Sequence, residues 1–404
     1  MKYLRTICFI IFLISLSLSA MAEYQTPDTG TTYTLFSLAY KAPHVLEQTE
    51  DGYLLKDRLI LSGSDILVAS DANLFIEPID PELFTGPLFL IEGRLIAENL
   101  VVTTNGDDVK DPNLAHAFLV SASDENDLSE ASFTNCIFHT LGFAVDVRHK
   151  AKIKMENSTI ENCYFHGFFA YMQSDATIIN STFNDADVIF LDSEGSLEQS
   201  HFQNAHLSLE EINHDFPVRN CLFEGEKDVG VFIKDSSGVK FEKNIIKGYH
   251  HGIIVSGNSD PVLSRNTIKD SLEGGLVAED NAAPVLRENR IIKNALNPPS
   301  VNGPVLLPAI LIQDSARPDL GTSVTLGKNV IFDNSGLNVY NATKHRIFAQ
   351  GNYWDDYLLQ KIEDTIYHEP DDYDDADQSG FFSGFVEYYP FWWEPVKVSC
   401  FVLF

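Results

Sequence analysis

GIIVSGNSDPVLSRNTI, residues 252–268, is followed by GLVAEDNAAPVLRENRI, residues 275–291. The two stretches superpose residue for residue. Gly252 and Gly275 each precede a short apolar run, Pro261 and Pro284 each precede a second run, and Asn266-Thr-Ile268 matches Asn289-Arg-Ile291. Three short apolar runs per repeat, separated by turn residues and without 3.6-residue periodicity, read as three β-strands per repeat.

Working outward, the Asn-x-hydrophobic triplet becomes a series. It runs Asn352-Tyr-Trp354, Asn329-Val-Ile331, Asn289, Asn266 and Asn244-Ile-Ile246. It continues as Cys221-Leu-Phe223, Ser200-His-Phe202, Ser181-Thr-Phe183, Cys163-Tyr-Phe165 and Cys136-Ile-Phe138, with Asn99-Leu-Val101 as a candidate first member. Measured backwards, the steps are 23, 40, 23, 22, 23, 21, 19, 18, 27 and 37. The two long steps hold loop-like insertions at 296–306 (LNPPSVNGPVL) and 104–113 (TNGDDVKDPN). A second series, Gly230, Gly252, Gly275, Ala309 and Gly336, places a small residue before a strand.

One such repeat cannot bury its apolar side, but a stack of repeats buries a continuous core. The expected fold is all-β: a single right-handed parallel β-helix of about ten to eleven coils, a rod on the order of 50 Å at ~4.8 Å per coil. The recurring small polar residue becomes an inward ladder of Cys136, Cys163, Ser181, Ser200, Cys221, Asn244, Asn266, Asn289, Asn329 and Asn352, whose amides satisfy one another from coil to coil. Left-handed β-helices, leucine-rich repeats and propellers need hexapeptide steps, a leucine spacing or longer blades, and these are absent.

The repeats at 252–268 and 275–291 resemble those of bacterial secreted right-handed parallel β-helix proteins, the carbohydrate-binding and sugar-hydrolase type. Residues 32–103 resemble the N-terminal cap of that group. Residues 351–394 resemble its terminator, with Asn352-x-Trp354, Ile362, Ile366, Tyr367, Asp371, Asp372, Gly384-x-Val386 and Pro390-Phe391. The resemblance implies the fold but no one activity.

The ends complete the layout. Lys2 and Arg5, the apolar run Thr6–Ser19 and Ala20-Met21-Ala22 read as a bacterial secretory signal peptide. The expected organisation is a signal at 1–22, a cap and first coils at 23–98, the helix proper at 99–354 and a capping segment at 355–404. The mature protein is expected in the periplasm or medium, not membrane-spanning, and as a monomer. The formal charge of −30, or −32 without Lys2 and Arg5, excludes a phosphate-binding face and with it nucleic acid.

Chemistry is harder to read. Local motifs of pectate lyases, galacturonases and uronate epimerases do not appear. His250-His251-Gly252 resembles part of a galacturonase motif but lacks its partners, and reads as a turn entering a strand. Cys136-x-x-His139 and Cys163-x-x-His166 suggest a Cys₂His₂ metal site, yet their Cys and His should point apart. Buried, unreactive thiols are the expectation, with a Cys136–Cys163 disulfide as the open alternative. The acidic run Asp371, Asp372, Asp374, Asp375 and Asp377 is the only candidate for Ca²⁺ and reads as a solvated turn; no cofactor is expected. YFHGFFAY (164–171) reads as core filling unless two rings face outward, where they could stack on sugar.

The functional expectation is a non-catalytic exported protein that binds a polysaccharide or envelope component. The alternatives are a polysaccharide lyase or glycoside hydrolase with an unrecognised site, and an adhesive rod. An enzyme requires at least three ionisable side chains converging on one outward strand face. The N-terminal coils, where Cys, His and aromatic residues gather, are the place to look.

Overall fold

A computed structural model describes residues 23–78, 87–104, 115–122, 129–297, 307–356, 358–368 and 384–391. The signal segment, the acidic run 371–377 and the end of the chain from 392 lie outside the described residues, as does most of both insertions. The chain packs as two compact units, residues 1–177 with 181–187, and residues 178–180 with 188–404.

The first unit opens with the Thr32–Thr34 strand and a short helix, Leu35–Lys41. Thr34 caps that helix through a reciprocal capping box with Ser37, and Leu35, Leu38 and Ala39 are buried. Coils of parallel strands follow. Ile66–Ile76 lies on Arg94–Thr104 in unbroken register from Ile66↔Arg94 to Ile76↔Thr104. Glu130–Thr134 then lies between Arg94–Thr104 and Lys152–Glu156. Alternate side chains point inward, and the core between the strands is aromatic. Phe118 packs 5.3 Å from Phe133, which packs 5.2 Å from Phe138.

The second unit is more regular. Val231, Ile253, Leu276, Ile310 and Val339 stand in one register column on consecutive coils, and all are fully buried. At its C-terminal end Ile362 and Ile366 are buried, and Val386–Glu387 pairs with Ile347–Phe348.

The turns carry the ladder. Asn244, Asn266, Asn289, Asn329 and Asn352 are fully buried. The backbone N–H and Nδ2 of Asn266 both donate to Oδ1 of Asn289, at 2.9 and 3.0 Å, and Nδ2 also donates to the Phe241 carbonyl. The same pattern links Asn244 to Asn266, Asn289 to Asn329 and Asn329 to Asn352. Cys221 joins through its N–H, which donates to Asn244 Oδ1 at 2.8 Å. Ser181 and Ser200 are buried turn residues, and Ser200 Oγ donates to the Glu198 carbonyl.

Two members of the expected ladder change. The Cys136 N–H donates to Ser158 Oγ at 3.1 Å, and the Ser158 N–H to Ser181 Oγ at 3.3 Å, so Ser158 holds the position expected for Cys163. Cys163 lies opposite Leu141 instead. Cys163-Tyr-Phe165 copies Cys136-Ile-Phe138 in composition only. Register is set by burying Phe138 against Ile160, whereas Phe165 faces out. The apparent 27-residue step is therefore 136 to 158 to 181. Asn99 is likewise not a ladder residue; it holds the left-handed turn position, with φ 54°. Cys136, Cys163 and Cys221 are free and buried. Burial pushes the thiols of Cys163 and Cys221 up to about 12 and raises that of Cys136. A second ladder was missed in the sequence: the Ser271 N–H donates to Asn294 Oδ1, and the Asn294 N–H to Asn334 Oδ1.

Candidate active site

Three parallel strands of the first unit, His116–Ser121, Ile137–Arg148 and Thr159–Tyr171, stack in adjacent coils. Phe118, Val120, Val145, Val147, Phe168 and Ala170 point into the core, all at most 1% exposed. Alternation then turns the residues between them outward. Leu119, Asp146 and Phe169 form one outward row, and Ser121, Arg148 and the neighbouring Tyr171 form the next. Three residues upstream, Phe143 pairs with His116 on one side and His166 on the other.

The arrangement brings a carboxylate between two imidazoles. His166 Nε2 lies 2.7 Å from Asp146 Oδ1. His116 Nε2 lies 3.3 Å from Asp146 Oδ2, an ion-pair distance without hydrogen-bond alignment. Asp146 is 7% exposed and His166 2%. Burial alone would raise the Asp146 carboxyl, but the charges of His166 and His116 outweigh it and hold the group well below the usual carboxylate range. Burial, helped by the Asp146 charge, raises the Tyr171 phenol, with Arg148 pulling the other way. Arg148 Nε donates to Ser121 Oγ at 3.2 Å, and Ser121 Oγ also meets His149 Nδ1 at 3.2 Å. Burial and the Arg148 charge lower the His149 imidazole.

Rings continue the cluster. Phe143 stacks on Phe165 with centroids 4.7 Å apart, His116 and His166 flank Phe143, and Phe169 stacks on Tyr171 at 4.5 Å. YFHGFFAY is therefore divided: Phe168 fills core while the remaining rings line the outer face, Tyr164 and Phe165 openly.

The other sequence candidates do not converge. His139 Nδ1 meets Thr103 Oγ1 at 3.3 Å, while His166 is committed to Asp146, so the two Cys-x-x-His pairs build no common site. Among the described residues no group of three or more His, Cys, Asp or Glu is arranged to hold a metal ion. His250 and His251 meet Glu273 at 3.1 and 3.4 Å at the start of the His251–Ser256 strand. Asp146 and His116 were missed because no local motif holds them, and His166 was singled out only as half of a Cys-x-x-His pair. The one usable signal was the gathering of His and aromatic residues in these coils.

The sequence matches the family described as "Right handed beta helix region" over residues 92–214 and 189–353, well over half of the chain. The chain belongs to the right-handed β-helix family. No curated protein matches it. Among solved structures it is similar to a point mutant of the periplasmic alginate epimerase AlgG, at 14% identity and TM-score 0.57, covering 89% of this chain and 83% of that one. A double mutant of the same epimerase gives 14% identity and TM-score 0.55, covering 91% and 84%. At such identity the likeness speaks for the fold alone, and family membership leaves the chemistry to be argued from the site. Among the described residues no helix is long and apolar enough to cross a membrane.

Proposed function

We propose that the chain is an exported polysaccharide-active enzyme of the epimerase or lyase type, working on a uronic-acid polymer at the His116–Asp146–His166 cluster. The observation that carries this is the Asp146 carboxylate held between two imidazoles on the outward side of three stacked strands, beside Arg148 and Tyr171. Asp146 has imidazoles and not a second carboxylate as partners, so the cluster does not supply the paired acids of a glycosidase. It does supply a set for removing a proton next to a carboxylate. His116, the less buried imidazole, acts as base in its neutral form and takes the proton from the carbon bearing the sugar carboxyl, becoming the cation whose charge the Asp146 carboxylate then pairs. The electron pair moves into that carboxylate, whose charge Arg148 offsets. Tyr171, kept as a phenol by its raised pKa, returns a proton to the opposite face of the carbon or to the departing glycosidic oxygen. Asp146 acts as a positioning residue that fixes both rings. The fold shared with a periplasmic alginate epimerase and the leader read at 1–22 support substrate class and export.

A second reading is favoured by the burial of Asp146, His166 and Tyr171: the cluster is structural and the protein binds a polysaccharide without altering it. One experiment separates the two. The mature protein is incubated with alginate, polygalacturonate and a neutral glucan, and the polymer is scored by proton NMR for inverted C5 centres and for unsaturated ends. Turnover of a uronan that falls about 10²–10⁴-fold in Asp146→Asn supports the enzyme. Turnover unchanged by that substitution, or binding with no turnover of any polymer, overturns it.

A further inference from the structure

The Ile137–Arg148 and Thr159–Tyr171 strands run in register through Leu141↔Cys163 and resume at Phe143↔His166, so the second strand carries one extra residue between these points. This is a β-bulge. It changes which side chains face out. In unbroken alternation one of Tyr164 and Phe165 would point into the core. Instead both are outside, 63% and 37% exposed, while Cys163 and His166 on either side are buried. Bulges re-aim side chains and are concentrated beside active sites. Here the bulge ends on His166, the imidazole bonded to Asp146.

The two rings are ordered. Phe165 is braced by Phe143 in a near-parallel stack at 4.7 Å and 10°, and Tyr164 stands perpendicular to Phe165 at 4.8 Å and 86°. Phe143 also touches His116 and His166. An exposed corner of two rings is thus coupled by direct contact to the ionisable cluster. Leaving two large apolar rings in water has a cost that a ligand would recover.

We infer that Tyr164 and Phe165 form a stacking subsite for one pyranose ring of a glycan chain, seating the sugar's C–H face beside the His116–Asp146–His166 cluster. This rests on the reading of that cluster as a polysaccharide site and adds the residues that hold the chain there. A second copy of the protein is the poorer occupant. Two aromatic side chains contribute about 300–500 Å² even when fully covered, below the ~800 Å² per partner of a standard interface. Aromatic rings give area and shape but no charge discrimination, so the subsite contributes affinity, and the choice of uronate stays with Arg148.

The test is affinity electrophoresis of the mature protein in gels cast with alginate, polygalacturonate or a neutral β-glucan, with sedimentation velocity alongside. The variants are Tyr164→Ala/Phe165→Ala, Phe165→Trp, Asp146→Asn and, as an exposed apolar control in the other unit, Val324→Ala. The expected result is retardation of the parent by at least one polymer, weakened about tenfold in the double variant. Phe165→Trp and Val324→Ala should keep both parental retardation and the parental unfolding midpoint. Where the parent turns a polymer over, the double variant should raise KM about tenfold at nearly constant kcat. Equal retardation of parent and double variant overturns the subsite and leaves the enzymatic reading standing. Parental retardation of Asp146→Asn with no loss of turnover overturns the enzymatic reading and leaves the subsite standing. A parent retarded in none of the gels, or a dimer that the double variant dissociates, overturns the subsite.

Discussion

The coils carrying residues 116–171 and those carrying 229–291 stack parallel strands by the same rule but are built to different tolerances. In the later coils the turns hold an Asn ladder and the strands keep unbroken columns. In the earlier coils the ladder is Cys and Ser, a bulge interrupts the register, and aromatic rings cover the outer face. Each region also joins two imidazoles to one carboxylate. In the later coils His250 and His251 are sequence neighbours that meet Glu273 at the solvent-facing rim of a turn. In the earlier coils His116, Asp146 and His166 come from three strands and meet under cover. Both contacts join neighbouring coils, but the same groups are part-exposed in one region and buried in the other. Regularity stabilises the stack, and the departures from it gather around the proposed site.

The largest contrast in stability follows from that difference in burial. Removing one partner of a buried ionic cluster costs about 3–5 kcal/mol, so Asp146→Ala should lower the unfolding free energy by that order. Glu273 is 41% exposed in its pairs, and Glu273→Ala should cost about 0–1 kcal/mol. Denaturant titration of both variants checks this; equal losses would dissolve the distinction. pH gives the same contrast. The Asp146 carboxyl is depressed in the folded protein, so its contribution is fully present above the unfolded carboxylate value of about 3.9. It is lost as pH falls below that value toward the folded one. Stability measured from pH 6 downward should therefore fall more steeply in the parent than in Asp146→Asn.

The contrast also explains how far the sequence could be read. The repeat at 252–291 carries its register on its face, because Gly, Pro and Asn recur at the turns of coils of nearly constant length. The fold class followed from it. The site did not, because its three groups come from three strands and meet only through register, with a bulge at 164–165 between Asp146 and His166. The Cys163 triplet imitated a ladder residue and hid Ser158, and so shifted the expected alignment of the coils that hold the site. His250-His251 was visible at once because it is local.

Smaller effects test the turns. Asn289→Ala removes the buried acceptor of the Asn266 N–H and Nδ2 and the donor to the Leu263 carbonyl. It should cost about 2–3 kcal/mol, since buried groups are left without partners. Ser158→Ala removes one acceptor, that of the Cys136 N–H, and should cost about 1–2 kcal/mol. Thermal unfolding of the two variants ranks the ladders. A larger loss at Ser158 would mean that the irregular coils depend more on their turns than the regular ones do.

The smallest effect lies one residue earlier, where every ladder position follows a residue in the left-handed region. Before Cys136, Ser158, Ser181 and Cys221 that residue is Asn135, Asn157, Asn180 or Asn220, with φ between 48° and 55°. Before Asn244, Asn266, Asn289 and Asn329 it is Lys243, Arg265, Glu288 or Lys328, at nearly the same angles. Asn enters this region more readily than other side chains with a Cβ. Where the ladder residue offers only a hydroxyl or thiol, four of the five turns draw on that preference, Gln199 before Ser200 (φ 52°) being the exception. Where the ladder residue is Asn, its several bonds hold the turn whatever precedes it. Asn157→Lys should therefore cost about 1 kcal/mol, and Lys243→Asn should gain a few tenths. The pair is read as opposite shifts in the midpoint of denaturant unfolding. A Lys243→Asn gain as large as the Asn157→Lys loss would show that the strain is alike in both kinds of turn, and that the Asn ladder does not relieve it.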